Sequence, residues 1–419
     1  MDKIVINGPN RLRGAVRVSG AKNAVLPIMA ATLLADGEFE IRNVPDLRDV
    51  KTMAHLLRII GAKVEFTDHT LRIDTRGCNF FEAPYELVKT MRASVYVLGP
   101  LLARFHQARV SLPGGCAIGT RPVDLHVKGL QQLGADLELE RGYIVAHTKG
   151  LRGAHISFDL SSVGATGNLL MAAVLARGQT VIENAAREPE IANLAAFLTR
   201  MGARIEGMGS SRLRVTGVRA LRPTDFEVMP DRIEAGTFLL AGAITGGEVE
   251  LTSVEPDHLS SLLARLKEAG VRLEVGQERI LCSAPERVRP VDVTTAPYPG
   301  FPTDLQAQWM ALMACADGSS VITENIFVDR FMHVAELRRL GAQIELKENV
   351  ALVRGAASLN GAPVMSTDLR ASASLVLAGL RAQGQTDVLR VYHIDRGYEK
   401  IEQKLAQLGA DIRRESGEM

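Results

Sequence analysis

The sequence predicts a mixed α/β fold built from six copies of one structural unit. A glycine that follows an apolar residue and opens an alternating strand pattern recurs at Gly61, Gly134, Gly202, Gly270, Gly341 and Gly409. Successive glycines are 68 to 73 residues apart, which is longer than the periods of helical repeats. The same order of strand and helix patterns surrounds each glycine, so the repeated unit is larger than a single hairpin or helix pair.

The elements of one unit follow in a fixed order. In five copies another glycine, 23 to 25 residues upstream, begins an alternating strand such as GEFEIRNV at Gly37. A helix of about three turns comes next, and the repeated glycine ends it as a C-cap. A hairpin follows, for example 271–275 paired with 279–283, and then a further strand and an apolar helix. Helices such as 24–35 are apolar on all sides, which favours burial inside the fold.

The chain ends and the chain length predict two domains. The sixth copy stops at 414–419 without the second strand of its hairpin, and residues 3–6 and 15–19 have the pattern of the missing strands. A chain of 419 residues is too long for one core, so three units are expected in each domain. We predict one domain over 21–229 and another over 1–20 with 230–419, joined by two crossings that form a hinge.

Composition excludes several classes of function. Apolar residues make up 46% of the chain, charged residues 23%, and the net charge is +1, so no global field attracts nucleic acid or an anionic membrane. The longest apolar stretch, 24–35, is shorter than the roughly 20 residues that span a bilayer. The N-terminus lacks the apolar core of a signal peptide. We therefore expect a cytoplasmic protein that acts on small molecules, with neither nucleic acid nor membrane as a partner.

One of the four cysteines has the surroundings of a reactive thiol. Cys282 and Cys315 lie in apolar patterns typical of buried residues, and Cys78 carries no further signal. Cys116 lies in SLPGGCAIGTRP, where three glycines and Arg121 surround it and where other copies run directly from strand to helix. A thiol on a glycine-rich loop near a cation favours a functional role over a structural loop cysteine. The cysteine spacing contains no zinc pattern, so no metal is expected.

Several helix starts are candidate anion sites, because free backbone amides and the helix dipole favour negative charge there. Basic residues begin the apolar helices at Lys22, Arg92 and Arg370, and further basic residues, Arg121 and Arg396, lie at predicted starts of the other helices. Arg396 alone would more simply be a solvated surface arginine. In the third copy Ser162, Val163 and Gly164 offer amides and a hydroxyl group instead of a cation.

Asp304 places a carboxylate where neighbouring copies place cations. An aspartate at a helix start is commonly a cap, worth about 1 kcal/mol. It could equally be a catalytic base, and the repeat pattern alone does not separate the two interpretations.

Eight segments resemble the UDP-N-acetylglucosamine enolpyruvyltransferase (1-carboxyvinyltransferase) family, and together they span essentially the whole chain. They are SGAKNA (19–24), PGGCAIGTRPVDLH (113–126), SVGAT (162–166), NAAREPEI (184–191), FPTDLQAQ (301–308), TENIFVDRFMHVAEL (323–337), DLRASASLVLAG (368–379) and YHIDRGYEKIE (392–402). The resemblance implies an α/β (α+β) fold of two inside-out α/β prisms, each built from three βαβαββ units. It also implies transfer of the enolpyruvyl group of phosphoenolpyruvate to the 3'-hydroxyl of UDP-N-acetylglucosamine, the first committed step of peptidoglycan synthesis, with no metal and no cofactor.

The resemblance also implies roles for the candidate residues. The catalytic set is Cys116, Asp304, Lys22, Asn23 and Arg396. Phosphoenolpyruvate is expected at Lys22, Arg121, Arg370 and Arg396. The sugar nucleotide is expected at Arg121, Pro122, Val123, Asp124, Leu125, Ser162, Val163, Gly164, Asp304, Ile326 and Phe327. Arg92 is expected to contribute, with Arg121, to the substrate site, and Asn23 to lie beside the reacting centre. Members of the family are alkylated by the epoxide fosfomycin at the residue that corresponds to Cys116.

One position departs from the family pattern, and two other functions stay open. Many members have a lysine two residues before Ser162, whereas this chain has Leu160, which puts one nucleotide contact in doubt.

The related 3-phosphoshikimate 1-carboxyvinyltransferases share the fold and the donor, but they lack the thiol-bearing loop and have a GNAGT-type segment that this sequence does not contain. An inactive prism-fold binding protein is the other alternative. Against it stands the joint presence of Cys116, Asp304, Lys22, Arg121, Arg370 and Arg396.

Overall fold

The computed structural model describes residues 2–112, 123–356 and 358–416. Contacts between Cα atoms divide them into two compact units. We call 20–112 with 123–229 the first unit, and 2–19 with 230–416 the second unit.

Strands and helices alternate along the described residues. The strands are β1 Lys3–Gly8, β2 Arg13–Arg17, β3 Glu38–Arg42, β4 Lys63–Thr67, β5 Thr70–Asp74, β6 Glu82–Ala83, β7 Gln107–Ser111, β8 Asp136–Glu140, β9 Tyr143–His147, β10 His155–Ser157, β11 Gln179–Glu183, β12 Arg204–Glu206, β13 Arg212–Thr216, β14 Asp225–Glu227, β15 Glu248–Thr252, β16 Arg272–Val275, β17 Arg279–Ser283, β18 Val293–Thr294, β19 Ser319–Thr323, β20 Gln343–Lys347, β21 Val350–Arg354, β22 Pro363–Met365, β23 Gly384–Leu389 and β24 Ile412–Glu415. The α-helices are α1 Lys22–Ala31, α2 Arg48–Ile60, α3 Tyr85–Val88, α4 Leu98–Phe105, α5 Asp124–Gln132, α6 Val163–Ala173, α7 Pro189–Arg200, α8 Arg232–Ile244, α9 Ser260–Glu268, α10 Gln306–Met313, α11 His333–Arg339, α12 Ala371–Arg381 and α13 Ile401–Gln407. Short 3-10 helices cover Thr32–Leu34, Arg92–Val97, Pro256–Leu259, Thr303–Leu305 and Val391–Arg396.

The strands form six sheets of four strands each within the described residues. The first unit contains the sheets β14-β3-β5-β4, β6-β7-β9-β8 and β10-β11-β13-β12, and the second contains β2-β15-β17-β16, β18-β19-β21-β20 and β22-β23-β1-β24. In every sheet the outer strand named first is parallel to its neighbour, and the remaining pairs are antiparallel. The predicted sixfold repeat of a mixed α/β unit is therefore confirmed.

The repeated glycines lie one or two residues past the ends of helices, as their pattern predicts. Their φ angles are all positive, between 87° and 112°, a region that side chains with a Cβ rarely adopt. Gly61 is the left-handed C-cap of α2 and donates its N–H to the carbonyl groups of Leu57 and Arg58. The predicted hairpin is also present as β16 paired antiparallel with β17.

The apolar helices lie inside each unit. All residues of α8 and α10 are buried, and within the second unit these two helices and α12 contact one another. In the first unit α6 contacts both α1 and α4. Helices buried at the centre with sheets around them give the inside-out α/β prism that the family resemblance implies.

The N-terminal strands complete two different sheets. Strand β1 pairs antiparallel with both β23 and β24, so it supplies the strand that the sixth copy lacks. The prediction for 15–19 was wrong: the strand there is Arg13–Arg17, and it pairs in parallel with β15 of the fourth copy. In the sixth sheet the parallel outer position is already taken by β22, which pairs with β23. Strand β14 precedes β15 in the chain, but it pairs with β3 in the first unit. The parallel outer position beside β15 is therefore open to β2.

Candidate active site

The predicted site residues fall in both units. Three of them, Cys116, Arg121 and Pro122, lie outside the described residues.

Lys22 is a buried cation at the start of α1. It is the first residue of the helix and 7% of its surface is exposed. Its Nζ lies 3.0 Å from Oδ2 of Asp49, a buried residue in the first turn of α2. A buried carboxylate thus holds the ammonium group at the helix start, while the neighbouring Asn23 is half-buried.

The starts of α5 and α6 lie next to one another in the first unit. Ser162 is the N-cap of α6, and its hydroxyl group accepts a hydrogen bond of 3.3 Å from the backbone N–H of Ala165. Val123 is the N-cap of α5, and Asp124 is exposed at its first position. Leu160, at the position that departs from the family pattern, is 74% exposed.

His126 joins these two helices, and sequence reasoning missed it. Asn168 accepts from the N–H of Gly99 at 2.7 Å, so its amide NH2 group faces Val95 O and His126 Nδ1, both at 3.0 Å. His126 Nδ1 must then accept, and the ring proton lies on Nε2. That nitrogen is next to Gly164, where a Cβ would be 3.3 Å away. Burial lowers the pKa of His126 to about 4, so the ring is neutral near pH 7.

In the second unit the Asp304 carboxylate lies between the guanidinium groups of Arg330 and Arg370. Arg330 Nη1 lies 2.8 Å from Asp304 Oδ1, and its Nε lies 3.2 Å from Asp368 Oδ2. Asp368 Oδ1 accepts from the backbone N–H of Arg370 at 2.6 Å, and Arg370 Nε lies 3.8 Å from Asp304 Oδ2. These contacts join Asp304, Arg330, Asp368 and Arg370 into a closed cycle, which we call the Asp304 ring.

Asp304 is not the N-cap residue of either helix at this point in the chain. It lies in the 3-10 helix Thr303–Leu305, directly before α10, and neither helix has a side-chain cap hydrogen bond. The N-cap residues of these helices are Pro302 and Leu305, and Oδ1 of Asp304 accepts from Nη1 of Arg330 at 2.8 Å.

Arg370 is the N-cap residue of α12 and is 1% exposed. Its Nη1 donates to the carbonyl of Gly397 at 2.8 Å, and its Nη2 donates to Oδ2 of Asp231 at 3.1 Å. The ring of Tyr398 lies 5.1 Å from its Cζ. Nearby carboxylates, chiefly Asp231, raise the pKa of Arg370 although burial opposes them, so this buried residue stays charged.

Glu324 is a buried carboxylate that sequence reasoning also missed, and it organises the segment before α11. Its Oε1 accepts from the N–H groups of Ile326 and Phe327 at 2.8 and 3.0 Å and from the hydroxyl of Thr295 at 2.7 Å. Its Oε2 accepts from the hydroxyl of Thr303 at 2.8 Å. Glu324 thus links the predicted nucleotide contacts 326–327 to the residue before Asp304.

The remaining predictions have mixed outcomes. Arg92 begins the 3-10 helix Arg92–Val97, as predicted for a helix start. Arg396 was predicted at a helix start but ends the 3-10 helix Val391–Arg396, because α13 begins only at Ile401. Cys282 is buried, and burial raises its pKa to about 12; Cys315 is only partly buried.

The described residues contain neither a cluster of metal ligands nor a membrane-spanning helix. No group of three or more His, Cys, Asp or Glu side chains there could hold a metal ion. None of the helices there combines the length and the apolar character needed to cross a membrane.

Comparison with known proteins decides the family. A family model described as EPSP synthase (3-phosphoshikimate 1-carboxyvinyltransferase) matches residues 6–405. The UDP-N-acetylglucosamine 1-carboxyvinyltransferase of Geotalea uraniireducens is 57% identical over 412 residues, which cover 98% of this chain and 99% of the relative. The enzyme of the same name from Myxococcus xanthus is 57% identical over 418 residues, 99% of this chain and all of the relative. The chain belongs to the UDP-N-acetylglucosamine 1-carboxyvinyltransferase family.

Solved structures agree with the fold of this family. The enolpyruvyl transferase NikO from Streptomyces tendae superposes with a TM-score of 0.90 at 28% identity, covering 99% of this chain and 98% of that one. EPSP synthase from Acinetobacter baumannii gives a TM-score of 0.76 at 18% identity over 99% of this chain and the whole of that one. The second likeness shows the fold alone. The UDP-N-acetylglucosamine 1-carboxyvinyltransferase family thus shares its prism architecture with other enolpyruvyl transferases.

Proposed function

We propose that this enzyme transfers the enolpyruvyl group of phosphoenolpyruvate to the 3'-hydroxyl of UDP-N-acetylglucosamine and releases phosphate. The observation that carries the proposal is identity of 56–58% along the whole chain to enzymes named for this activity. The described geometry adds a physical basis, because both substrates are anions and buried cations stand at helix starts.

Phosphoenolpyruvate carries a phosphate and a carboxylate group, and we assign it to Lys22, Arg121, Arg370 and Arg396. Arg370 supports this assignment, because it is fully buried and its Nε has no hydrogen-bond partner among the described residues. A guanidinium group presents donors in a fixed plane, which suits the paired oxygens of a carboxylate or phosphate group. Lys22 offers a compact charge that its buried partner Asp49 keeps in place.

The sugar nucleotide is assigned to the starts of α5 and α6 and to 326–327. The free amides at the start of α6 favour the diphosphate group, and the hydroxyl of Ser162 holds the first turn in shape. Glu324 fixes the backbone at Ile326 and Phe327 by accepting both of their N–H groups. With Leu160 exposed at the departing position, these backbone groups have a larger share in binding.

The reaction needs one proton delivered and one removed in the addition step. Cys116 delivers a proton to the methylene carbon of phosphoenolpyruvate, since a thiol with an ordinary pKa near 8.5 is mostly protonated at neutral pH. The 3'-oxygen then bonds to the adjacent carbon while Asp304 accepts or orients the hydroxyl proton. In the second step the new methyl group returns a proton to the Cys116 thiolate and the phosphate group leaves with the C–O bonding electrons, which restores the double bond. Asn23 lies beside the reacting centre in this assignment.

We place the enzyme in the cytoplasm, where its first step commits UDP-N-acetylglucosamine to peptidoglycan and so supports cell shape and cell division. The thiol of Cys116 requires a reducing compartment for this chemistry, which supports the location. In this proposal the protein needs neither metal nor cofactor, and its partners are the two small-molecule substrates.

Phosphate release from phosphoenolpyruvate tests the proposal directly. Purified protein should release phosphate with UDP-N-acetylglucosamine as acceptor and should release none with shikimate 3-phosphate. Mass spectrometry of the product should show addition of one enolpyruvyl group. Release with shikimate 3-phosphate alone would assign the enzyme to the related activity, and binding of the sugar nucleotide without release would indicate an inactive binding protein.

A further inference from the structure

Asp231 uses its two carboxylate oxygens for two separate tasks. It is the N-cap of α8, where Oδ1 accepts from the N–H groups of Ile233 and Glu234 at 2.8 and 3.1 Å. Its Oδ2 accepts from Nη2 of Arg370 at 3.1 Å, and Asp231 is 4% exposed. One buried carboxylate thus connects the start of α8 to a guanidinium group assigned to the substrate.

The helix start fixes where Oδ2 lies. Because Oδ1 is held by two amides, the carboxylate plane of Asp231 cannot turn without loss of the cap. Nη2 of Arg370 is therefore held on one side, and the carbonyl of Gly397 holds Nη1 at 2.8 Å. Two fixed contacts on a planar group determine the direction of its third nitrogen.

The third nitrogen, Nε, faces Asp304. Their separation of 3.8 Å to Oδ2 is longer than a hydrogen bond, and Nε has no hydrogen-bond partner among the described residues. Attraction between the two charges would close this gap if the guanidinium group could turn freely. The contacts to Asp231 and Gly397 oppose that movement.

We propose that Asp231 is a positioning residue for the reaction: it holds Arg370 apart from Asp304, so that Nε stays available as a donor for an anionic substrate. This inference rests on the proposed function, in which Arg370 binds phosphoenolpyruvate. Asp231 itself touches no reacting atom in this proposal.

Substitution by serine separates the two tasks of Asp231. Serine is a good N-cap, but it has one oxygen on a short side chain and cannot also reach Arg370. In Asp231→Ser we expect Arg370 to turn toward Asp304, with a rise in the KM for phosphoenolpyruvate of about 10- to 100-fold. The KM for UDP-N-acetylglucosamine should change by less than about threefold. Loss of folded enzyme would lower kcat and leave both KM values unchanged, so a rise in one KM alone cannot come from poor folding.

Asp231→Asn gives a second, isosteric test. An amide has one acceptor oxygen, so it either caps α8 and turns its NH2 group toward Nη2, or accepts from Arg370 and loses the cap. In the first arrangement two donors face each other. In the second, Nη2 keeps an acceptor but loses its charged partner and the cap that fixes that acceptor, so the KM for phosphoenolpyruvate should rise in both cases. This variant keeps the side-chain volume if the serine variant folds poorly.

Lys404→Gln is the matched control. Its Nζ lies 2.7 Å from Oε1 of Glu234, in the same first turn of α8, so the substitution breaks a buried ion pair there without touching Arg370. We expect lower stability and unchanged KM values for both substrates. A KM rise for phosphoenolpyruvate in this control equal to that in Asp231→Ser would reduce Asp231 to a structural role.

Calorimetric titration of phosphoenolpyruvate into each protein measures the same effect without turnover. Weaker binding in both Asp231 variants and not in the control is the expected result. Folded Asp231 variants with the wild-type KM and affinity for phosphoenolpyruvate would overturn the inference. Absence of phosphate release by the wild type would instead overturn the proposed function, so the two failures are distinct.

Discussion

Arg330 Nη1 and Asp304 Oδ1 lie 2.8 Å apart, and only 3% of the Arg330 side chain is exposed. Asp368 holds the other side of the same guanidinium group through Nε at 3.2 Å. A fully buried cation with two carboxylate partners has little freedom to move, so it fixes the orientation of Asp304. Arg330 therefore fixes the Asp304 carboxylate on its Oδ1 side.

Asp304→Asn should separate charge from shape at this position. The amide can still accept from Arg330, but it cannot accept a proton from the sugar hydroxyl group. We expect kcat to fall by about 100-fold or more. The free energy of unfolding should fall by about 1–3 kcal/mol, because the amide replaces a charged hydrogen-bond partner.

Steady-state kinetics and urea denaturation of Asp304→Asn measure both effects. Asp317→Asn is a suitable control, since that side chain is 80% exposed and its Oδ1 lies 3.8 Å from Nη1 of Arg287. Near-normal turnover in Asp304→Asn would contradict a role in proton transfer.

Cys116→Ser should remove most turnover, because a hydroxyl group is a much weaker acid than a thiol. Cys116→Asp should retain measurable activity, since a carboxyl group can also deliver a proton, and it should resist alkylation by fosfomycin. Both variants should still bind UDP-N-acetylglucosamine in a calorimetric titration. A serine variant with the wild-type rate would show that Cys116 is not the acid.

Local patterns were sufficient to predict the repeat, the hairpins and the helix ends. The repeated glycines appear in the sequence because a helix end with positive φ selects glycine, as at Gly61. The place of β2 was not predicted correctly, because its parallel pairing with β15 joins residues more than 200 positions apart. An alternating pattern predicts that a strand forms, but it does not predict with which strands it pairs.

The candidate site was predicted only in part for a similar reason. Lys22, Ser162 and Arg370 stand at helix starts, which periodicity reveals. Arg330 and Asp368 lie within recognisable segments, yet a single arginine or aspartate outside a periodic pattern resembles any surface charge. Their burial, which marks them as unusual, exists only after the chain has folded.

Glu324→Gln should weaken the segment that precedes α11. The glutamate accepts four hydrogen bonds, whereas the amide NH2 group would face at least one donor. We expect the free energy of unfolding to fall by about 1–3 kcal/mol. The KM for UDP-N-acetylglucosamine should rise, because Ile326 and Phe327 lose the contact that holds their backbone.

A surface variant provides the comparison for Glu324. Glu345→Gln also exchanges a carboxylate for an amide, but at a residue that pairs with Arg354 on the exposed side of β20. Its stability should stay within about 0.5 kcal/mol of the wild type. Equal effects of the two substitutions on stability and KM would contradict the role assigned to Glu324.

The last prediction concerns pH and the two buried histidines, His126 and His333. Burial lowers the pKa of each to about 4, whereas an unfolded histidine titrates near 6.5. Between these values the unfolded chain binds more protons than the folded chain, so stability falls as the pH falls from about 6.5 toward 4. Each histidine should cost about 1–2 kcal/mol at pH 5 relative to pH 7.5.

His333→Leu isolates one of these contributions. Neither ring nitrogen of His333 has a hydrogen-bond partner among the described residues, so leucine removes the titration without removing such a bond. The difference in unfolding free energy between pH 7.5 and pH 5 should shrink by about 1–2 kcal/mol in this variant. Burial raises the pKa of Glu234, which gives the opposite pH dependence, but that contribution is common to both proteins and cancels. His55→Gln, at an exposed position of α2, is the matched control. An equal change in both variants would show that burial of His333 is not its cause.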